Sequence, residues 1–274
     1  MNPWTAPETQ PAGESTLRLY LLGPFYALLG DQRLGGLRSD KARALLAYLA
    51  TEQGHLQPRA KLAALLWDEF SSQAAMTNLR VTLSNIKRVL NQWQEGICLE
   101  ITRQDVTFEA QPCGCWVDIA EFEALQAKCR AHAHAKLAGC AECIERLIQA
   151  TALYRGDFLE GLTLPDSPGF SEWRLLQQEK YHQQTLLILD VLIPYHIQRE
   201  YYYQAERFAR RMLDLEPWRE TAHRHLMLIY NKTGRKKSAL AQYDHCRDIL
   251  QRELGVLPDE ETRAIYESLG SNTV

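Results

Sequence analysis

The sequence predicts a mainly α-helical chain with a small β component, in two parts. Three observations lead there. Between Leu17 and Phe108 short apolar runs, three helix-period segments and a hairpin follow one another in that order. From Asp118 onward the helical period repeats nearly to the C-terminus. The length of 274 residues, at about 150 per domain, suffices for two cores.

The first part is justified element by element. Leu17–Gly23 and Phe25–Leu29 read as two short strands, and Gly30-Asp31 turns the chain before Gln32-Arg33-Leu34. Ser39 or Asp40 caps a helix whose Ala42, Leu45, Leu46 and Leu49 recur at helical spacing, ending before Gly54. A second helix follows Pro58 and runs to Leu65, Leu66 and Trp67. A third extends from about Gln73 to Gln92. Cys98–Thr102 and Val106–Phe108, around Arg103-Gln104-Asp105, form a β-hairpin. This order is that of a winged helix with an N-terminal sheet, a helix-turn-helix variant whose last helix enters the major groove.

The third helix carries its own test. At 100° per residue Leu79, Leu83, Ile86 and Leu90 fall within about 60° and form a buried stripe. The opposite face carries Thr77, Val81, Ser84, Asn85 and Arg88, with Asn78 and Arg80 on its shoulders. Asn suits adenine, Arg suits guanine or phosphate, and Val suits a thymine methyl. A merely solvated helix mixes Glu with Lys, whereas Glu is absent from 73 to 94.

Charge agrees once it is divided. The net charge is −3, yet Leu17–Gln94 holds ten basic against five acidic residues, which leaves −8 for the rest. A basic segment beside an acidic remainder suggests one module that faces phosphates. The hydrophobic share of 46% and charged share of 24% are those of a globular chain. No apolar run reaches the roughly 18–20 residues of a membrane span. Met1–Thr16 lacks the basic and apolar regions of a signal peptide and reads as a disordered tail. Seven cysteines, an odd number without an export signal, point to the reducing cytoplasm.

In the second part Asp118–Ala131, Cys143–Tyr154, Ser171–Asp190, Tyr202–Leu215, Arg219–Thr233 and Lys236–Leu254 are amphipathic candidates, and a final helix starts at Asp259. Two units repeat at 34 residues, aligning Ala205 with Ala239, Ile193 with Met227 and Ala209 with Tyr243. Pro217 closes the first unit as in a tetratricopeptide repeat; the second has Gln251 there. Helix-pair stacking gives either a concave partner-binding surface or a compact support for the first module.

On these residues the chain resembles the SARP-type bacterial transcriptional activators. Arg43–Leu49, Leu62–Trp67 and Asn78–Leu90 resemble their OmpR-like winged helix. Val117–Glu123, Leu153–Leu159, Ser238–Tyr243 and Glu253–Pro258 are similar to their bacterial transcriptional activator domain. The resemblance covers about residues 17–269 and implies a tail at 1–16, a DNA-binding domain at 17–111 and a tetratricopeptide-like domain at 112–274. It further implies promoter binding at direct repeats by tandem or dimeric protomers on double-stranded DNA, activation through RNA polymerase, and a cytoplasmic, nucleoid-associated place. Carried over by position, its DNA contacts are Thr77, Asn78, Arg80, Val81, Ser84, Asn85, Lys87 and Arg88, with Arg103 on the wing. Two departures stand out: the family often has Arg at the positions of Ser84 and Asn85, and the wing has Arg103-Gln104-Asp105-Val106 for its glycine-rich turn. Relatives often continue into an ATPase, and no phosphate loop occurs here, so the chain acts alone or is the N-terminal part of a longer regulator.

One constellation suggests a metal: Cys129-x2-His132-x-His134-x5-Cys140-x2-Cys143 has thiolates and imidazoles at the spacing of one structural zinc. The alternative is reduced cysteines on helices with surface histidines. No catalytic constellation appears, so the chain reads as a non-enzyme. The competing function is a protein-interaction scaffold in which the helical array is the working part.

Overall fold

The computed structural model describes residues 17–91, 99–110, 114–133 and 137–271. The tail expected at 1–16, the last residue expected for the third helix (Gln92) and the candidate ligand His134 lie outside them. The chain forms two compact units, one of residues 1–132 with 149–181 and one of 133–148 with 182–274. The expected division at 111/112 is not where these units part. The reason lies in how the first unit is woven.

That unit opens with β1 (Leu17–Tyr20), β2 (Gly23–Pro24), β3 (Tyr26–Leu29) and β4 (Gln32–Arg33). Helix α1 (Asp40–Thr51) follows, then β5 (Gln57–Pro58), α2 (Arg59–Trp67), α3 (Ser72–Asn91), β6 (Leu99–Ile101) and β7 (Asp105–Phe108). Ser39 accepts from the Ala42 amide and caps α1. β6, β7 and β5 form an antiparallel sheet in the order β5-β7-β6, the wing of a winged helix.

Two strands come from beyond residue 111. β8 (Trp116–Val117) pairs parallel with β1 and completes the sheet β4-β3-β1-β8. β9 (Phe158–Glu160) pairs parallel with β2. Runs of two or three residues carry no readable alternation, so neither strand was visible in the sequence.

A buried carboxylate fixes this junction. Asp118 opens α4 (Asp118–Ala131) with 0% exposure. It accepts from the Leu21 amide at 2.8 and 2.9 Å, the Leu22 amide at 2.9 Å and the Ile119 amide at 2.8 Å. Arg155 Nη2 donates to it at 3.1 Å, while the guanidinium lies 4.7 Å from the ring centres of both Tyr20 and Tyr26. Four donors on one buried anion offset part of its lost hydration, and burial still pushes the carboxyl above its ordinary range.

Helix α5 (Ala141–Leu153) and the 31-residue α6 (Pro168–Gln198) each contribute to both units. The expected Ser171–Asp190 helix is therefore longer at both ends and continues through Pro194. In the first unit Ser167 donates to the Leu66 carbonyl at 2.8 Å, and Trp173 packs 4.8 Å from the Tyr48 ring, holding the start of α6 against α1 and the end of α2.

The second unit is helical among the described residues. α7 (Tyr202–Leu215), α8 (Glu220–Lys232), α9 (Lys236–Leu254) and α10 (Glu260–Ser271) pack as successive neighbours. Ala205, Ala239, Ile193 and Met227, the residues that align at 34-residue spacing, are all fully buried. Tyr243 is half-buried where Ala209 is buried, so the two units depart at that position.

Candidate nucleic-acid interface

α3 is a 20-residue helix without Gly, Pro, Asp or Glu, which lets it form uninterrupted. Ala75, Leu79, Leu83, Ile86, Val89 and Leu90 are buried along it. Thr77, Arg80, Val81, Ser84, Lys87 and Arg88 are exposed, and Asn78 and Asn85 are half-buried. Val81 is 65% exposed, an apolar side chain left in water on a face with nothing on its own helix to cover it. The connection from α2 is four residues, Asp68–Ser71, the short turn of a helix-turn-helix.

Hydrogen bonds divide the predicted contact residues. The Thr77 hydroxyl donates to the Gln73 carbonyl at 2.9 Å, leaving its methyl and lone pairs outward. Asn85 is engaged at both ends of its amide. Its Nδ2 donates to the Gly36 carbonyl at 3.1 Å, and its Oδ1 accepts from the Arg38 amide at 3.4 Å. The loop before α1 is thereby pinned to α3. Gly36 sits at φ +90, and a Cβ there would lie 3.1 Å from Val89 Cγ2, so this close crossing requires glycine. Asn85 is thus a bracket that brings the exposed Arg38 beside the outward face. Sequence reasoning missed Arg38; Gly35-Gly36 just before the Ser39 cap was the available clue.

The wing tip is equally defined. Thr102 and Asp105 close a two-residue loop of Arg103 and Gln104, with the Thr102 hydroxyl accepting from the Gln104 amide at 3.2 Å and the Asp105 amide at 2.9 Å. Neither loop residue has positive φ, which is why no glycine is needed. Arg59 donates from its amide to the Gln104 carbonyl at 2.8 Å and from Nη1 to the Thr102 carbonyl at 3.2 Å, tying the wing to the start of α2. Arg103 stands exposed at the tip.

The basic segment also divides by use. Arg18 is buried and pairs with Asp31 at 3.1 Å, and Lys41 pairs with Asp166 at 2.7 Å. Arg80, Lys87 and Arg88 remain on α3, with Arg38 and Arg103 on the loops.

The described candidate zinc ligands sit at the end of α4 and around the start of α5. Cys129 is buried on α4 and His132 follows the end of that helix, both in the first unit. Cys140 and Cys143 belong to the second, where α5 begins, with their sulfurs within 4.8 Å and Arg146 Nη1 donating to Cys143 Sγ at 3.9 Å. Neither is in a disulfide.

Comparison with known proteins accords with this architecture. The family model of the bacterial transcriptional activator domain matches residues 117–269. Regulatory protein AfsR of Streptomyces griseus is 26% identical over 265 residues, 94% of this chain and 25% of that protein. AfsR of Streptomyces coelicolor is 27% identical over 244 residues, 88% of this chain and 23% of that protein. The chain thus spans about a quarter of the length of these relatives. The solved structure of Mycobacterium tuberculosis EmbR, in complex with a low-affinity phosphopeptide, shares the fold with a TM-score of 0.69 at 21% identity, over 94% of this chain and 66% of that one. No helix among the described residues is long and apolar enough to cross a membrane. The chain belongs to the bacterial transcriptional activator domain family.

Proposed function

We propose that the chain binds double-stranded DNA sequence-specifically and activates transcription, with α3 in the major groove. Arg80, Val81, Ser84, Arg88 and Asn78 read base edges; Thr77, Lys87, Arg38 and Arg103 meet the backbone or the flanking groove. The observation that carries this reading is the acid-free outward face of α3, opposite its buried stripe and beside the loop that carries Arg38, with Arg103 a further exposed cation at the wing tip. The helical remainder contacts RNA polymerase or another protomer, placed on direct repeats. Because the relatives are about four times longer, these activities belong to the reading as a whole and not to the match.

The test is duplex binding as a function of salt. Neutralising several phosphates makes affinity fall steeply between about 50 and 200 mM. Arg80→Ala and Arg88→Ala should each cost about 1–3 kcal/mol where they contact bases. Salt-independent binding, or full affinity in the double variant, rejects the assignment.

We further propose that Cys140 and Cys143 form half of one structural zinc site completed from Cys129, His132 and His134. Two sulfurs within 4.8 Å suit a pair of Zn–S bonds of about 2.3 Å each, and the Cys-x-x-Cys spacing is a common half-site.

A further inference from the structure

The second unit carries thirteen basic and thirteen acidic residues over 182–274, yet they are not mixed. From Arg207 to Lys237 there are nine basic against three acidic residues, and from Ser238 to Ser271 three against seven. Two basic residues of the first stretch, Arg210 and Arg235, line a pocket of about 280 Å³ together with Tyr230, Ser238, Ala241 and Gln242, which come from α7, α8, the turn before α9, and α9.

Two guanidinium groups are held in place there by one carboxylate. Arg210 donates to Glu206 Oε1 from Nε at 3.1 Å and from Nη2 at 2.9 Å. Arg235 Nη2 donates to Glu206 Oε2 at 2.7 Å, and its Nε donates to Thr233 Oγ1 at 2.9 Å. Tyr230 receives Arg210 Nη2 on its hydroxyl at 2.7 Å and lies 4.6 Å beneath the Arg235 guanidinium. Burial raises the Glu206 pKa, but the hydrogen bonds from Arg235 and Arg210 outweigh it and hold the carboxyl below its ordinary range. The trio is therefore fixed, ionised and net positive. These bonds use Nε and Nη2 of both arginines and leave their Nη1 groups outside the Glu206 network. The first turn of α9 reinforces the field, since it carries Lys236 and Lys237 and no acid.

We propose that this pocket is a docking site for an acidic peptide, which seats one Glu or Asp carboxylate between Arg210 and Arg235 beside Ser238. The shape favours a peptide over nucleic acid. A single recess walled by the Tyr230 ring and Ala241 accepts a side chain with apolar methylenes ending in a carboxylate. Duplex DNA instead presents spaced phosphates on a convex surface and needs a basic stripe. Guanidinium groups already oriented by Glu206 and Tyr230 lose little freedom on binding.

The experiment uses the full chain and a fluorescein-labelled peptide of glutamates, with a matched glutamine peptide as control. Anisotropy should report saturable binding of the glutamate peptide alone, weakening as salt rises from about 50 to 200 mM. Arg235→Gln should lower affinity roughly tenfold or more, as loss of a charge-assisted hydrogen bond does. Ser238→Glu places a carboxylate at the third position of α9, where it suits the helix terminus. It should raise the melting temperature and abolish peptide binding, which separates a filled pocket from a misfolded one. Arg252→Gln, the same charge loss at an exposed pair with Glu253, should leave binding unchanged. Equal binding of the glutamine peptide, or equal loss in Arg252→Gln, overturns the proposal. So does loss of duplex DNA affinity in Arg235→Gln matching its loss for peptide, which would make the pocket a nucleic-acid contact.

Discussion

Asp118→Asn removes one charge and replaces one carboxylate oxygen with an amide donor. Oδ2 accepts from the Leu21 and Leu22 amides and from Arg155, and Oδ1 accepts from the Leu21 and Ile119 amides. Whichever oxygen becomes nitrogen, at least one buried amide faces a donor, and each such loss costs about 1–3 kcal/mol. Breaking a buried pair costs about 3–5 kcal/mol in general. Arg155 keeps 20% exposure and can rehydrate in part, which places the expected loss near the lower end, about 3 kcal/mol. At roughly 2–4 °C per kcal/mol for a unit of this size, the melting temperature should fall by about 6–12 °C. Thermal and urea unfolding measure the global loss, and hydrogen exchange at the Leu21 and Leu22 amides localises it. Arg155→Met alone and in combination completes a double-mutant cycle, where a coupling above about 1 kcal/mol is expected. A loss below about 1 kcal/mol in Asp118→Asn, with both amides still protected, refutes the lock.

Two further outcomes test the interface and the cysteines. Asn85→Ala should weaken duplex binding about equally across sequences and match Arg38→Ala, because its amide holds the Gly36–Arg38 loop; a loss of preference at one base position would instead make Asn85 a base reader. Protein purified under reducing conditions should contain one zinc per chain by elemental analysis, and Cys140→Ser with Cys143→Ser should remove it; a metal-free native preparation refutes the site.

The long helices were legible because their apolar period is sustained. Asp118–Ala131, Tyr202–Leu215 and Lys236–Leu254 lie where the pattern placed them. The stripe of α3 followed from the same arithmetic, and with it the outward set Arg80, Val81, Ser84 and Arg88. What escaped were effects of long-range contact. A two-residue strand such as β8 exists because β1 offers unpaired groups, a fact that nothing in Trp116-Val117 records. The role of Asn85 depends on a loop 49 residues away, and the burial of Asp118 on amides 96 and 97 away. The neutral charge balance of the second unit likewise conceals the Arg210–Glu206–Arg235 trio, whose members meet only when α7, α8 and α9 stack.

The pairing of β8 with β1 and of β9 with β2 separates the unit of inheritance from the unit of folding. The family match begins at Val117, in the middle of a sheet that the preceding residues cannot complete. A fragment ended before Trp116 would leave the β1 edge bare and the Leu21 and Leu22 amides without their anion, an open template for another chain. The winged-helix part is therefore not a detachable cassette. A self-sufficient version has to retain the chain through Tyr181, with residues 133–148 carried as an excursion between its two stretches.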